Sequence, residues 1–303
     1  MERILLIETS AALCSVALAE DGACVAYKEC TTPRSHAAMT TVLIDELLRE
    51  GGLRIQDCTA VCVSKGPGSY TGLRVGVSTA KGLCFGAGRP LLSVGTLDIL
   101  VQQAVESENA GSEANGQPAA SSAASGASSE TAVRWDAIIP VIDARRDEVY
   151  TAVYRPAVAS PSASASIASP TGKPYSPLAP DSPAYEAVSP VRSLIVGQDD
   201  FGYDFSGKSI LFIGDAADKC QRLLSDSGTS HPTPGSSPAD ATLPLATSPL
   251  NLSRCRFLQT QPKASAMAVP AFRALAAGTF EDVAYFEPFY LKDFVATTPK
   301  KLF

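Results

Sequence analysis

Two acids sit at matching places in the sequence. Glu8 closes the apolar run Arg3–Glu8, and Asp143 closes the apolar run Ala137–Asp143. Set over one another, the two halves stay in register, with Ile7 over Ile142, Ala17 over Ala152 and Leu18 over Val153. An acid at each first-strand end, followed by a short turn and a second strand, is the layout of duplicated phosphoryl-transfer folds. There the turns cradle phosphates and the acids hold a metal. That chemistry needs glycine in the turns, because backbone N–H groups must approach the phosphates closely. The turns here read Thr9-Ser10-Ala11-Ala12 and Ala144-Arg145-Arg146-Asp147, without glycine. Arg145 and Arg146 suit an anion but disfavour a divalent metal beside Asp143. The layout is kept and the cradle is not.

Other candidate chemistry is sparse. Gly214 and Asp215 end an apolar run, where a glycine can lie under a nucleotide's adenosine, while an ordinary helix start capped by Asp215 explains the pair equally well. The chain has two histidines, His36 and His231, and Thr40 stands where a helical His-x-x-x-His metal pair would need the second. No base is placed to activate a Ser or Cys nucleophile. Eight cysteines include no CxxC pair, so zinc spacing is absent, and most lie in apolar runs as reduced core thiols.

The run Gly66-Pro67-Gly68-Ser69-Tyr70-Thr71-Gly72-Leu73-Arg74 is different. Gly66 and Gly68 permit a tight turn, Pro67 fixes its φ, and Ser69 or Thr71 caps the helix behind it. A helix N-terminus can hold an anion, yet the Gly-Lys-Ser/Thr order of a P-loop is missing. Behind the turn, Gly72, Gly76 and Ala80 recur every four residues as a flat strip. Each mid-helix glycine costs about 0.8–1.0 kcal/mol relative to alanine, so something packs closely on the strip. The neighbour is either the chain's own sheet or another chain, and the expectation is a helix of another subunit. A second amphipathic helix over His36–Glu50 carries Met39, Leu43 and Leu47; with Gly72, Gly76, Ala80 and Leu83 it would form a two-helix interface.

These residues are positioned by an α/β alternation. Strands are expected at Arg3–Glu8, Leu13–Glu20, Ala23–Cys30, Ala60–Ser64 and Leu91–Val94. Ser35 would cap the helix His36–Glu50, a helix would run from the glycine turn to about Phe85, and another would begin near Thr96. Glu148–Tyr154 is the expected hairpin partner of Ala137–Asp143. Three stretches, 107–133, 156–190 and 226–250, are rich in Ser, Ala, Pro and Gly and bury too little apolar surface to offset ordering entropy; they read as disordered low-complexity insertions. The division expected is a first lobe over 1–106 and a second over 134–303 interrupted by the last two insertions, with roughly 215 ordered residues in all.

A chain of 303 residues with a net charge of −6 lacks the basic balance of a protein that grips nucleic acid alone. The apolar run Ile4–Ile7 is too short for a signal sequence and no stretch matches a membrane span, so a cytoplasmic location is expected.

Ile7-Glu8-Thr9-Ser10 with Cys14–Leu18, the run Gly66–Gly76, Ile142-Asp143-Ala144-Arg145-Arg146-Asp147-Glu148-Val149-Tyr150, and Pro288-Phe289-Tyr290-Leu291-Lys292 together resemble the TsaB family. Among them Glu8, Gly66, Gly68, Ser69, Thr71, Gly72, Arg74, Asp143 and Arg145 carry the match. The resemblance implies a two-lobed actin-like (ASKHA) duplicated fold and a non-catalytic subunit in threonylcarbamoyladenosine synthesis on tRNAs that read codons starting with A. It implies pairing with TsaD, joining by the ATPase TsaE, and a homodimer in the absence of TsaD. ATP and metal would then belong to the partner subunits, and tRNA would be met only through the complex. The competing readings are a small-molecule kinase or ATPase of the same fold, and a metallopeptidase-like hydrolase.

Overall fold

The computed structural model describes residues 1–32, 35–114, 135–157, 185–227 and 250–292. The larger parts of the three low-complexity stretches lie outside the described residues. Their edges do not: the helix after Leu91–Gly95 runs on to Ala114, past the expected boundary at 107, and short strands border the second stretch.

The first half builds one five-stranded sheet from β1 (Arg3–Glu8), β2 (Cys14–Glu20), β3 (Ala23–Cys30), β4 (Ala60–Gly66) and β5 (Leu91–Gly95). Helices α1 (His36–Glu50) and α2 (Tyr70–Ala87) fall between strands, and α3 (Thr96–Ala114) follows β5. The sheet order is β3-β2-β1-β4-β5, antiparallel through the hairpins and parallel from β1 onward.

The second half repeats this plan with β6 (Ala137–Asp143), β7 (Glu148–Thr151), β8 (Tyr154–Pro156), β9 (Tyr185–Ala187), β10 (Arg192–Ile195), β11 (Ile210–Gly214), α4 (Ala217–Ser227), β12 (Cys255–Gln259) and α5 (Ala268–Ala277). Its main path is β10-β7-β6-β11-β12, again antiparallel at the hairpins and parallel from β6 to β12. The register repeats too: β1 from Ile4 pairs with β4 from Ala60, and β6 from Ala137 pairs with β11 from Ile210. The chain therefore has the two-lobed, duplicated α/β fold that the paired acids pointed to. The expected single strand Glu148–Tyr154 is broken into β7 and β8, and β8 turns away to pair with β6 at Ile138 and with β9.

Strand alternation sets the cores. Leu5 and Ile7 of β1 face α1 and α2, together with Val61, Val63, Leu43, Ile44, Leu47, Val77 and Ala80. Ile4 and Leu6 point the other way, toward α5 through Phe272 and Leu275. Helix α3 packs Leu97, Leu100, Val101 and Ala104 onto Ile138, Ile142, Leu211 and Ile213 of the second sheet, which ties the lobes together. The far face of that sheet is closed by Ala217 and Cys220 of α4 around Phe212, whose ring stacks on Phe257 with centroids 4.8 Å apart. All eight cysteines are free thiols, and Cys14, Cys58, Cys62, Cys84 and Cys220 are buried, where desolvation raises their pKa values.

Candidate functional site

The glycine junction at the end of β4 meets the turn after β1. Ser69 has extended backbone and its hydroxyl accepts from the Gly72 amide at 3.3 Å, so Ser69 is the cap of α2, while Thr71 is exposed within its first turn. The Ser69 amide donates to the Ser10 carbonyl at 2.6 Å, and the Thr9 hydroxyl donates to the Gly72 carbonyl at 2.8 Å. A Cβ on Gly68 would overlap the Ser10 carbonyl, one on Gly72 the Thr9 carbonyl, and one on Gly76 the Thr9 hydroxyl. The helix start that could have held a phosphate is thus seated on the chain's own β1–β2 turn.

This corrects the expected interface. Gly72, Gly76 and Ala80 are buried against the first lobe's own turn and sheet, not against another subunit. Leu43 and Leu47 are buried in the same core, and Met39 and Leu83 are half-buried beside it. Regular glycine spacing reports close approach without saying to what. The outward sides of the two helices carry other residues: Ala38, Thr41 and Val42 on α1, and Ser78, Gly82, Phe85 and Gly86 on α2. Phe85 is 87% exposed, and nothing lies within 4 Å of a Cβ on Gly82 or Gly86.

Glu8 is wholly buried. Its Oε1 accepts from the Ser10 amide at 2.5 Å, while Oε2 and the hydroxyls of Ser10 and Ser64 have no hydrogen-bond partner. Burial pushes the carboxyl up to about 7, with hydrogen bonds offsetting part of the shift. At the matching place in the second lobe Asp143 is half-exposed and pairs with Lys219 at 2.5 Å. Its Oδ1 also accepts from the Arg145 amide at 2.8 Å. Lys219 donates further to the carbonyls of Arg146 and Glu148. Arg145 and Arg146 both take positive φ, 70° and 51°, so the turn adopts the left-handed backbone without glycine. Among the described residues no group of three or more His, Cys, Asp or Glu side chains gathers at a metal-binding spacing.

Gly214 takes φ 142°, and a Cβ there would overlap the Val141 carbonyl, so β6 packing accounts for this glycine. Asp215 does not cap α4; it accepts from the Asp143 amide at 2.8 Å, and burial pushes its carboxyl up to about 6. Ser35 likewise turns its hydroxyl away from α1, donating to the Thr32 carbonyl at 2.6 Å. His36 bonds through Nε2 to the Ala11 carbonyl at 2.9 Å.

The closing motif completes the site. The Glu281 amide donates to Leu91 on the β5 edge, and the Lys81 ammonium holds the carbonyls of Ala284 and Phe286. The Phe289 amide donates to the Lys65 carbonyl at 2.7 Å, beside Gly66. Tyr290 packs on Tyr70 with ring centroids 4.9 Å apart, and Arg74 reaches the Tyr70 hydroxyl at 3.1 Å. Lys292 pairs with Glu148 of the second lobe and lies over the Tyr150 ring. Four segments far apart in sequence thereby form one connected surface across both lobes. Sequence reasoning missed Lys219 and Lys81. Lys219 did leave a signal, since a cation in a helix's first turn opposes the macrodipole and needs a local anion.

A family model described as TsaD, tRNA N6-adenosine threonylcarbamoyltransferase, matches residues 30–300. The chain belongs to the TsaD family. Within it the likeness is to TsaB: the Escherichia coli (strain K12) tRNA threonylcarbamoyladenosine biosynthesis protein TsaB is 33% identical over 153 residues, 50% of this chain and 55% of that protein. The Haemophilus influenzae TsaB is 32% identical over 147 residues, 48% of this chain and 51% of that protein. The chain thus spans about half the length of the curated relatives it matches. A crystal structure from Pseudomonas aeruginosa, described as an uncharacterized protein with similarity to peptidase YEAZ, superposes with a TM-score of 0.64 at 20% identity. The match covers 96% of this chain and 100% of that one, so the two share the fold across both lobes.

Proposed function

We propose that this chain is a non-catalytic subunit of threonylcarbamoyladenosine synthesis on tRNA, working by pairing with the transferase TsaD and with the ATPase TsaE. The observation that carries the reading is the seating of the α2 start on Thr9 and Ser10, which occupies with the chain's own backbone the place where a phosphate would need free N–H groups. Three further facts support it. Asp143 is committed to Lys219, both hairpin turns lack glycine, and the TsaB relatives are named for the same biosynthesis. ATP and metal then act on the partner subunits, tRNA is met through the complex, and the work is cytoplasmic; among the described residues no helix is long and apolar enough to cross a membrane.

The pairing surface in this reading is the outward side of α1 and α2, with Val42 and Phe85 as its apolar anchors, and the same side serves a homodimer when TsaD is absent. Mixing the purified chain with TsaD and following the complex by size-exclusion chromatography tests it: wild type should co-elute, and Phe85→Asp should not while remaining folded. Co-elution unchanged by both Phe85→Asp and Val42→Asp would refute the surface. The rival kinase or hydrolase reading requires ATP turnover or peptide cleavage by the chain alone, lost on Asp143→Ala.

A further inference from the structure

A cavity of about 260 Å³ opens beside the end of the first sheet, and none of its lining residues belongs to α1 or α2. Its walls come from six places in the chain. Lys65 stands at the end of β4, and Ser93, Val94 and Gly95 end β5. Asp98, Val101, Gln102 and Val105 lie on one side of α3. Tyr154 and Tyr185 reach in from the second lobe, and Pro270 and Arg273 come from α5. The space is that of several water molecules, below the roughly 300–1,000 Å³ of drug-sized pockets.

The charges lining it do not cancel. Lys65 and Arg273 are cations, and neither side chain has an ion pair or hydrogen bond to another described residue. The lining anion is Asp98, and its Oδ1 already accepts from the Tyr154 hydroxyl at 2.7 Å. The next carboxylate, Glu281, accepts from the Ser93 hydroxyl at 2.5 Å. Gln102 spends its amide on Glu106 at 3.1 Å. The cavity therefore presents two cationic donors against one carboxylate, a net positive lining in which Asp98 spends one of its oxygens on Tyr154. Val94, Val101, Val105 and Pro270 supply an apolar wall beside them. Charged donors beside a partly apolar wall form the usual make-up of a site for a small charged molecule.

We propose that this inter-lobe cavity binds a small organic anion, its carboxylate or phosphate group met by Lys65 and Arg273 and its apolar body lying along Val94, Val101, Val105 and Pro270. The proposal is independent of the pairing function, since none of these residues lies on the outward side of α1 or α2. Lys65 is nevertheless linked to the motif surface, because its carbonyl receives the Phe289 amide. An anion in the cavity would thus sit one residue from the Gly66 junction and between elements of both lobes, stabilising their present arrangement by mass action.

Isothermal titration of the full chain with phenyl phosphate, benzoate and neutral benzyl alcohol, at matched ionic strength, tests this. One anion at least should bind saturably at one site per chain, and the two anions together decide between phosphate and carboxylate. Benzyl alcohol should bind at least tenfold more weakly, and Lys65→Met and Arg273→Met should each weaken the anion roughly tenfold or more. Circular dichroism of the two variants guards against misfolding, which is not expected because Arg273 is exposed and Lys65 half-buried. The proposal is overturned by the absence of saturable anion binding, by equal binding of benzyl alcohol, or by unchanged affinity in both folded variants.

Discussion

The Thr9 hydroxyl donates to the carbonyl of Gly72 over 2.8 Å, and the Thr9 carbonyl stands where a side chain on Gly72 would have to be. One turn on, the same hydroxyl fills the space beside Gly76. The first hairpin turn and the second helix are thus locked together at van der Waals distance: the Thr9 backbone requires Gly72, the Thr9 side chain requires Gly76, and neither glycine needs a ligand to explain it.

A methyl group at position 72 must push that backbone aside. Gly72→Ala should cost about 1–3 kcal/mol of stability, the range for overpacking a tight contact. Gly82 has open space and helical backbone, so Gly82→Ala should gain roughly 0.5–1 kcal/mol. Urea denaturation of the two variants beside wild type reads both signs. A neutral Gly72→Ala would show that the contact is looser than described.

Glu8 gives the stability a pH signature. Its folded pKa, about 7, lies above its ordinary value of 4.5, so the native state holds the proton more tightly than the unfolded one. The resulting stabilisation is fully present below about 4.5 and is lost as pH rises through 7, after which it stays lost. At 1.36 kcal/mol per unit the loss is on the order of 3 kcal/mol. Glu8→Gln should flatten this part of the curve and be relatively more stable than wild type at pH 8. Thermal melts of both proteins between pH 4.5 and 8 would expose the idea as wrong if their curves ran parallel.

The closing segment depends on Gly66. That residue takes φ 107°, and a Cβ there would lie 2.8 Å from the Phe289 carbonyl. Gly66→Ala should cost about 1–3 kcal/mol and loosen the segment from Lys65. Limited trypsin digestion should then cut at Lys292 several times faster than in wild type, at protein concentrations where both remain folded. Equal cleavage rates would mean that the segment is held from elsewhere.

Much of this was legible in the sequence. The paired acids, the hairpin period and the glycine turn gave the duplicated lobes and nearly every strand of the first one, because alternation and glycine spacing are local signals. A cap at Ser69 or Thr71 was legible for the same reason, and the structure chooses Ser69. The neighbour of the Gly72/Gly76/Ala80 strip was not, since spacing records closeness and the partner, Thr9, lies more than sixty residues away. Asp215 read as a cap and is instead an acceptor for Asp143, a pairing made by strand register and invisible to local pattern. The split of the second hairpin into β7 and β8 goes with the pairing of β8 to β9, a strand that lies inside the stretch 156–190 read as low-complexity. The closing motif was visible as a string of residues, but its passage over Gly66 to Glu148 exists only in three dimensions.

Reconstitution of tRNA modification from purified components tests the central claim most directly. With TsaD, TsaE, ATP and the threonylcarbamoyl donor pathway supplied, adenosine modification should require this chain, persist with Asp143→Ala, and fall at least tenfold when Phe85→Asp and Val42→Asp are combined in a folded variant. Modification that proceeds equally without the chain, or that is abolished by Asp143→Ala while the complex still assembles, would contradict a pairing subunit without chemistry of its own.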